Sequence, residues 1–431
     1  MAHISGKTGK DGRIVIVSES SWEIEHNEEM LASPEDGYSI EVSGGNKLVF
    51  YRSTDGEIEA YGKVSYAGSP PKFVGSPVTL SDRYTLRTST TYSDRLKRVI
   101  AGYEGGSGVA STFYYKLVDT SNDVLLLGDE TYNSWGTSLV SSFVIDPVSG
   151  HLAMAFGGND NNGQCGVHEL YLDSYINSTL TRYTFDTVKE VKIAHIPSVN
   201  KIAIVFVNSD NNIRITVGKV IYEEYFGSDQ WYLKIEEDPV LVSVNNASDL
   251  DLAYDSVTDK LIITYLNNTD DNVEYRLCTV NSDASVSFGD VGVFVYNVSA
   301  PNVIYDTVSQ KVAVSYMDNT IWHGQVVVGS ISGYDIVNIG TPSSFCDDIY
   351  YNDAVFDANS GKMVIAYYDY ITYKSTAVAG SISGNTITFD TPVVFDDSTP
   401  SAISAVFDPN NNLVVVAYRA GGLIKSVAMR L

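Results

Sequence analysis

Five aspartates, Asp146, Asp255, Asp306, Asp357 and Asp408, each close a short apolar stretch and are followed by a turn such as Pro147-Val148-Ser149-Gly150 or Pro409-Asn410-Asn411-Asn412. Carboxylates recurring in this way could hold a metal or move protons. An Asp placed before a turn more commonly accepts the turn's own backbone N–H groups, and a further copy of the pattern carries Ile196 at that place, which a shared catalytic role would not tolerate. The six histidines, His3, His26, His151, His168, His195 and His323, show no two at ligand spacing and no Ser or Cys partner in a nucleophile elbow. Cys165, Cys278 and Cys346 are too few and too far apart for a disulfide framework or a zinc knuckle, and read as buried thiols.

Oxygen-rich stretches at Gly158–Gly163, Asn208–Asn212 and Asn267–Asn272 could take Ca²⁺, but none has the D-x-D-x-D-G order with a distal Glu. They read as hairpin tips, so no cofactor is expected, with Ca²⁺ the one ion they could hold. Gly6-Lys7-Thr8 lacks the preceding glycine of a phosphate-binding loop, and Ser53-Thr54-Asp55-Gly56 lacks the spacing and the Trp of a sialidase turn. No catalytic residue stands out, and the expectation is a protein that is not an enzyme.

The elements that must position these residues come from a repeat. A short apolar strand ending in Asp, a polar turn and an alternating strand ending in an aromatic recur, most clearly in Val303–Asp306 with Lys311–Tyr316, Ala354–Asp357 with Lys362–Tyr367, and Ala405–Asp408 with Leu413–Tyr418. The closing tyrosines 316, 367 and 418 are 51 residues apart, as are Gly329-Ser330-Ile331-Ser332-Gly333 and Gly380-Ser381-Ile382-Ser383-Gly384. Tyr51, Tyr103, Phe156, Phe206 and Tyr265 close weaker copies, which makes eight units. About four strands fit into each unit, the signature of a β-propeller blade, whereas β-solenoid coils repeat in about half that length.

The expected fold is therefore all-β, an eight-bladed propeller of four-stranded blades. The last unit stops at Leu431, one strand short, and Gly12–Ser18 is a good β segment. The expectation is an N-terminal extension over 1–11 and a single propeller over 12–431, with 12–20 supplying the strand that closes the last blade and leaves no open edge. Seven blades are the alternative, if the poorly matching unit Ser39–Leu80 is a separate anchor.

Lys and Arg number 28 against 53 Asp and Glu, a net charge of −25. Such a field repels phosphate backbones and anionic lipid, so neither nucleic acid nor a membrane is an expected partner. No apolar run reaches the roughly 18 residues of a membrane helix, and the basic start lacks a following apolar region of a secretory signal, which points to assembly in a cytoplasm.

In a propeller the loops joining second to third strands and the linkers between blades share one face. Here the units differ most, and here lie Trp22, Trp135, Trp322, Tyr350 and Tyr351 among Asn and Asp. These five are the candidate binding residues, since exposed aromatics among polar residues compose sugar- and protein-binding surfaces.

The strand Val355-Phe356-Asp357, the strand Lys362–Tyr367, the segment Ala377–Gly384 and Ile387-Thr388-Phe389 leading to Pro392–Phe395 resemble repeats of structural and tail-fibre-like proteins of marine tailed bacteriophages. The likeness covers about 150 residues well. The opening Ile4–Lys10 also looks like the start of some phage virion proteins. The resemblance implies a virion component, on tail or capsid, for host attachment or particle decoration. Its implied partners are other virion proteins, a host surface receptor or glycan, or further copies of itself. The alternative is a carbohydrate-binding or carbohydrate-cleaving propeller unrelated to phage.

Overall fold

Every side chain of the strands Leu152–Gly157 and Lys201–Asn208 is buried, so these strands bury both of their faces. A sheet made of such strands needs a packed layer on each side. The computed structural model supplies those layers by arranging seven blades in a ring. It describes residues 71–82, 88–105, 112–121, 125–128, 130–132, 141–157, 162–168, 178–225, 227–244 and 246–431, together with five strands before residue 65.

Blades 1 to 7 open with innermost strands at Thr88–Ser93, Ser141–Ile145, the second half of Ser178–Ile196, Ala247–Asp255, Val298–Asp306, Ile349–Asp357 and Pro400–Asp408. Each of these strands lies against the next and the seventh lies against the first, so the ring is closed. Within a blade the strands run antiparallel in sequence order from the axis outward. Ser178–Ile196 is one continuous strand, outermost in blade 2 where it pairs with Asn162–His168 and innermost in blade 3 where it pairs with Lys201–Asn208. Blade 3 also carries the longest hairpin, Ile213–Tyr225 with Ser228–Ser243. That hairpin accounts for the stretched interval between Phe206 and Tyr265. Its Val220 and Leu233 pack onto Ala153, Ala155 and Val167 of blade 2.

Two expectations are corrected. The ring has seven blades, and the strand that completes the last one is Lys72–Ser81, paired antiparallel with Leu423–Arg430. Ile14–Ile16 of the expected closing segment pairs instead with His3–Thr8. These two strands belong with Ile58–Val64, Asn46–Arg52 and Tyr38–Val42, the strand order of a separate five-stranded antiparallel sheet that also contains Tyr51. The physical reason is coverage. An outermost strand must offer apolar side chains to both neighbours, and Lys72–Ser81 does: Leu80, Val74 and Val78 join the core shared with blade 1, while Phe73 meets Phe395 of blade 6 at 5.9 Å. Gly75 and Pro77 sit where the register slips, on the outer side of a blade, where a missing N–H is tolerated.

The closing aromatics are core. Tyr103, Phe156, Phe206, Tyr265, Tyr316, Tyr367 and Tyr418 are all fully buried between blades. Tyr316 donates to Gln325 Oε1 at 3.0 Å and Tyr418 to Asp396 Oδ2 at 2.9 Å, so these buried hydroxyls are satisfied. Phe345 and Tyr367 meet edge to face at 5.2 Å between blades 5 and 6.

The turn aspartates are buried structural acceptors. Asp306 takes the N–H groups of Val308 at 2.8 Å and Ser309 at 3.0 Å, Asp357 those of Asn359 at 2.9 Å and Ser360 at 3.1 Å, and Asp408 those of Asn410 at 2.9 Å and Asn411 at 3.2 Å. In blade 1 the same place belongs to Ser93, whose Oγ accepts from Leu96 N–H at 3.3 Å.

Around the axis, polar side chains occupy the amides that the innermost strands leave unpaired. Asp251 accepts from Val303 N–H at 2.9 Å, and Asp353 from Ala405 N–H at 2.7 Å, each reaching the following blade. Glu190 accepts from Leu250 N–H at 2.9 Å, and Asn302 donates to Asn352 Oδ1 at 2.8 Å. Lys192 Nζ lies 2.9 Å from Asp251. Asp353, on blade 6, is influenced electrostatically by both Lys192 of blade 3 and Asp251 of blade 4. Burial pushes the Asp353 carboxyl up to about 7, with Lys192 opposing and Asp251 reinforcing the shift.

Two tests follow from these contacts. Asp306→Ala, Asp357→Ala or Asp408→Ala should each cost about 0.5–2 kcal/mol in denaturant unfolding, the usual worth of lost local hydrogen bonds. Asp353 has a raised pKa in the folded chain, so its contribution to stability is greatest in acid and is lost as pH rises from its unfolded value of about 4 through about 7. Asp353→Asn, which keeps an acceptor for Ala405, should raise the melting temperature by a few degrees at pH 8 and change it little at pH 5.

Candidate functional site

Strand order puts the second-to-third loops and the interblade linkers on one face of the ring, opposite the uniform aspartate turns. The loops of blades 3 to 6 share one frame. Asn208, Asn267, Asp318 and Asp369 each open their loop by accepting a backbone N–H two residues on, at 3.1, 3.0, 2.8 and 3.0 Å. The loop then reaches a left-handed residue: Asn211 at φ 59°, Asp271 at 53°, Trp322 at 61° and Tyr373 at 59°.

Backbone bonds tie these loops to the linkers. Asn268, Asn319 and Tyr370 donate N–H to the carbonyls of Asn246, Asn297 and Asp348 in the preceding linker, at 2.8, 3.1 and 3.0 Å. The carbonyls of Asn211 and Asp271 accept from Ala247 and Val298, the first residues of the next blade, at 3.1 and 2.8 Å. Two of the oxygen-rich stretches considered for Ca²⁺ therefore use Asn208 and Asn267 on their own turns, while residues 158–161 of the third lie outside the described residues. Among the described residues no group of three or more His, Cys, Asp or Glu is placed to hold a metal ion.

Asn and Asp tolerate the left-handed region, whereas a bulky aromatic there is strained by roughly 1–2 kcal/mol. Trp322 and Tyr373, 51 residues apart on adjacent blades, occupy that position and are 58% and 59% exposed. Between them, at the start of blade 6, the pairing register slips from Ile349 to Asn352, so Tyr350 and Tyr351 are the bulged residues. Both are exposed, with rings 4.9 Å apart. Tyr370 continues the patch, with ring centroids 5.6 Å from both Tyr368 and Tyr373.

Acids belong to the same loops and linker. The Asp348 carboxyl is held above the usual range by its burial and by Asp369 and Asp347, against the pull of His323. His323 follows Trp322 directly, so this coupling brings the blade 5 tip beside the linker. Lys374 pairs with Asp397 at 2.8 Å.

Of the five candidate binding residues, Trp322 lies in the blade 5 loop and Tyr350 and Tyr351 at the start of blade 6, all exposed on the loop face, whereas Trp22 and Trp135 lie outside the described residues. Tyr370 and Tyr373 join the patch without having been singled out. The 51-residue offset from Trp322 to Tyr373 was the signal available for the latter.

The other chemistry-bearing groups are occupied elsewhere. Burial pushes the thiols of Cys165, Cys278 and Cys346 up to about 12, away from thiolate character. His151 is buried with its ring 5.1 Å from Trp231, and burial together with Arg95 lowers its pKa to about 4. His195 Nε2 lies 3.0 Å from Asn200 Oδ1 and 3.9 Å from Asp146.

No protein-family model and no curated protein matches the sequence. Solved structures match the fold. The WD40 domain of coronin from Toxoplasma gondii aligns with a TM-score of 0.51 at 10% identity, over 85% of this chain and 88% of that one. The BP39L lectin from Burkholderia pseudomallei aligns with a TM-score of 0.58 at 10% identity, over 81% of this chain and 97% of that one. At this identity the likeness is one of fold alone. The chain is a β-propeller, and its ring has seven blades.

Trp322→Asn puts at the left-handed position the residue type that blade 3 uses there. The variant should unfold at the same temperature or a few degrees higher, a gain of up to about 1 kcal/mol. A marked drop in a thermal melt would show that Trp322 is instead a packing residue.

Proposed function

We propose that the protein is a non-enzymatic virion component of a tailed bacteriophage, displayed on tail or capsid, that attaches to the host surface through the aromatic loop face of blades 5 and 6. One observation carries the binding role: Trp322 and Tyr373 stand exposed in a backbone conformation that disfavours them, beside the bulged Tyr350 and Tyr351. Backbone strain of this kind clusters at functional sites, which supports a binding role for residues that bear it while exposed. Aromatic anchors also supply much of the energy at small interfaces. The virion setting draws on the resemblance of the last three repeats to phage structural proteins.

Replacing Trp322 and Tyr350 together by Ala should weaken binding of the purified protein to host cells at least tenfold, with the circular dichroism spectrum unchanged. Unaltered cell binding would remove this face from consideration. Antibodies to the protein should decorate the particle in electron micrographs. Hydrolysis of an arrayed glycan in a reducing-sugar assay would favour the carbohydrate-cleaving alternative.

A further inference from the structure

The attachment reading leaves open what chemistry the patch accepts, and its charge narrows that choice. Five rings, those of Trp322, Tyr350, Tyr351, Tyr370 and Tyr373, are exposed on blades 5 and 6. Asp318 and Asp369 stand at the base of the two loops, and Asp347 and Asp348 occupy the linker between them. The lysine beside them, Lys374, is in an ion pair with Asp397. Aromatic faces and carboxylates share one preference: both attract cations, the ring through its quadrupole and the acid through its charge. The chain's net charge of −25 adds a long-range field of the same sign.

We infer that this patch takes a basic protein segment, whose Lys or Arg side chains lie over the tyrosine and tryptophan rings and meet the linker and loop aspartates. This rests on the attachment reading and names its partner. Several separated acids on three chain segments match a ligand carrying several charges along its length, which a basic segment offers and a single amino sugar does not. An anionic polysaccharide would meet repulsion from every one of these carboxylates. Neutral sugars could stack on the rings but would gain nothing from the negative charge of these carboxylates.

The test uses hexa-arginine peptide as the probe, titrated into the full chain at about 0.15 M salt, where exposed charges beyond roughly 8 Å are screened. Tyr350→Ala with Tyr373→Asn removes two rings without changing net charge, and the second change keeps a residue suited to the left-handed turn. The inference expects saturable binding that this variant weakens at least tenfold, and no saturable binding of maltohexaose. Equal affinity in both proteins would mean that the general acidic field alone holds the peptide, and would overturn it. So would absence of peptide binding, or a preference for the neutral sugar. Host-cell binding measured on the same two proteins separates the two readings. Loss of cell binding without hexa-arginine recognition sinks only the basic partner, whereas peptide recognition with cell binding intact sinks attachment through this face.

Discussion

A blade of this protein cannot stand alone, because its strands are apolar on both faces. Leu152–Gly157 and Lys201–Asn208 have no water-facing side, and a continuous core lies between successive blades. Closure of the ring is the constraint from which the rest follows. It is met by pairing Lys72–Ser81 with Leu423–Arg430, strands about 350 residues apart in sequence. Leu80 then shares a core with Val99 and Tyr103 of blade 1 and Leu413 and Val415 of blade 7. Asp408 at the turn of blade 7 also accepts a hydrogen bond from Thr120 of blade 1. The seam is thus sealed by apolar packing and by a buried polar contact.

Closure also creates an axis toward which seven innermost strand edges face. An unpaired edge amide is a liability in any sheet. Here the side chain of one blade caps the amide of the next, as Asp251 does for Val303 and Asp353 for Ala405, 52 residues on in each case. The same contacts that join neighbouring blades bring Asp251, Asp353 and Lys192 together, so the unusual titration of Asp353 arises from ring assembly.

Much of this was legible in the sequence. The 51-residue interval, the buried aromatics and the turn aspartates depend on local patterns that repeat, and a pattern seen several times survives noise. The blade count did not, because it depends on which distant strand pairs with Leu423–Arg430. Gly75 and Pro77 interrupt the alternation of Lys72–Ser81 and disguise it, while Tyr51 lies in a strand of the separate five-stranded sheet. The exposed rings divided in the same manner. Trp322, Tyr350 and Tyr351 stood out by residue type among polar loops. Tyr373 and Tyr370 lie in a tyrosine-rich stretch where composition does not separate exposed rings from buried ones such as Tyr367 and Tyr368.

The loop frame has a consequence for how such a surface can diversify. In blades 3 and 4 the left-handed residue contributes its carbonyl to the next blade, and that link is made by backbone, indifferent to the side chain carried. Asn, Asp, Trp and Tyr already occupy the position in four successive blades. The hairpins therefore share one backbone frame that accepts different side chains at this position, the bulky ones at a cost in strain. Single-residue changes at these sockets can alter the chemistry the face presents while the backbone bonds beneath are kept.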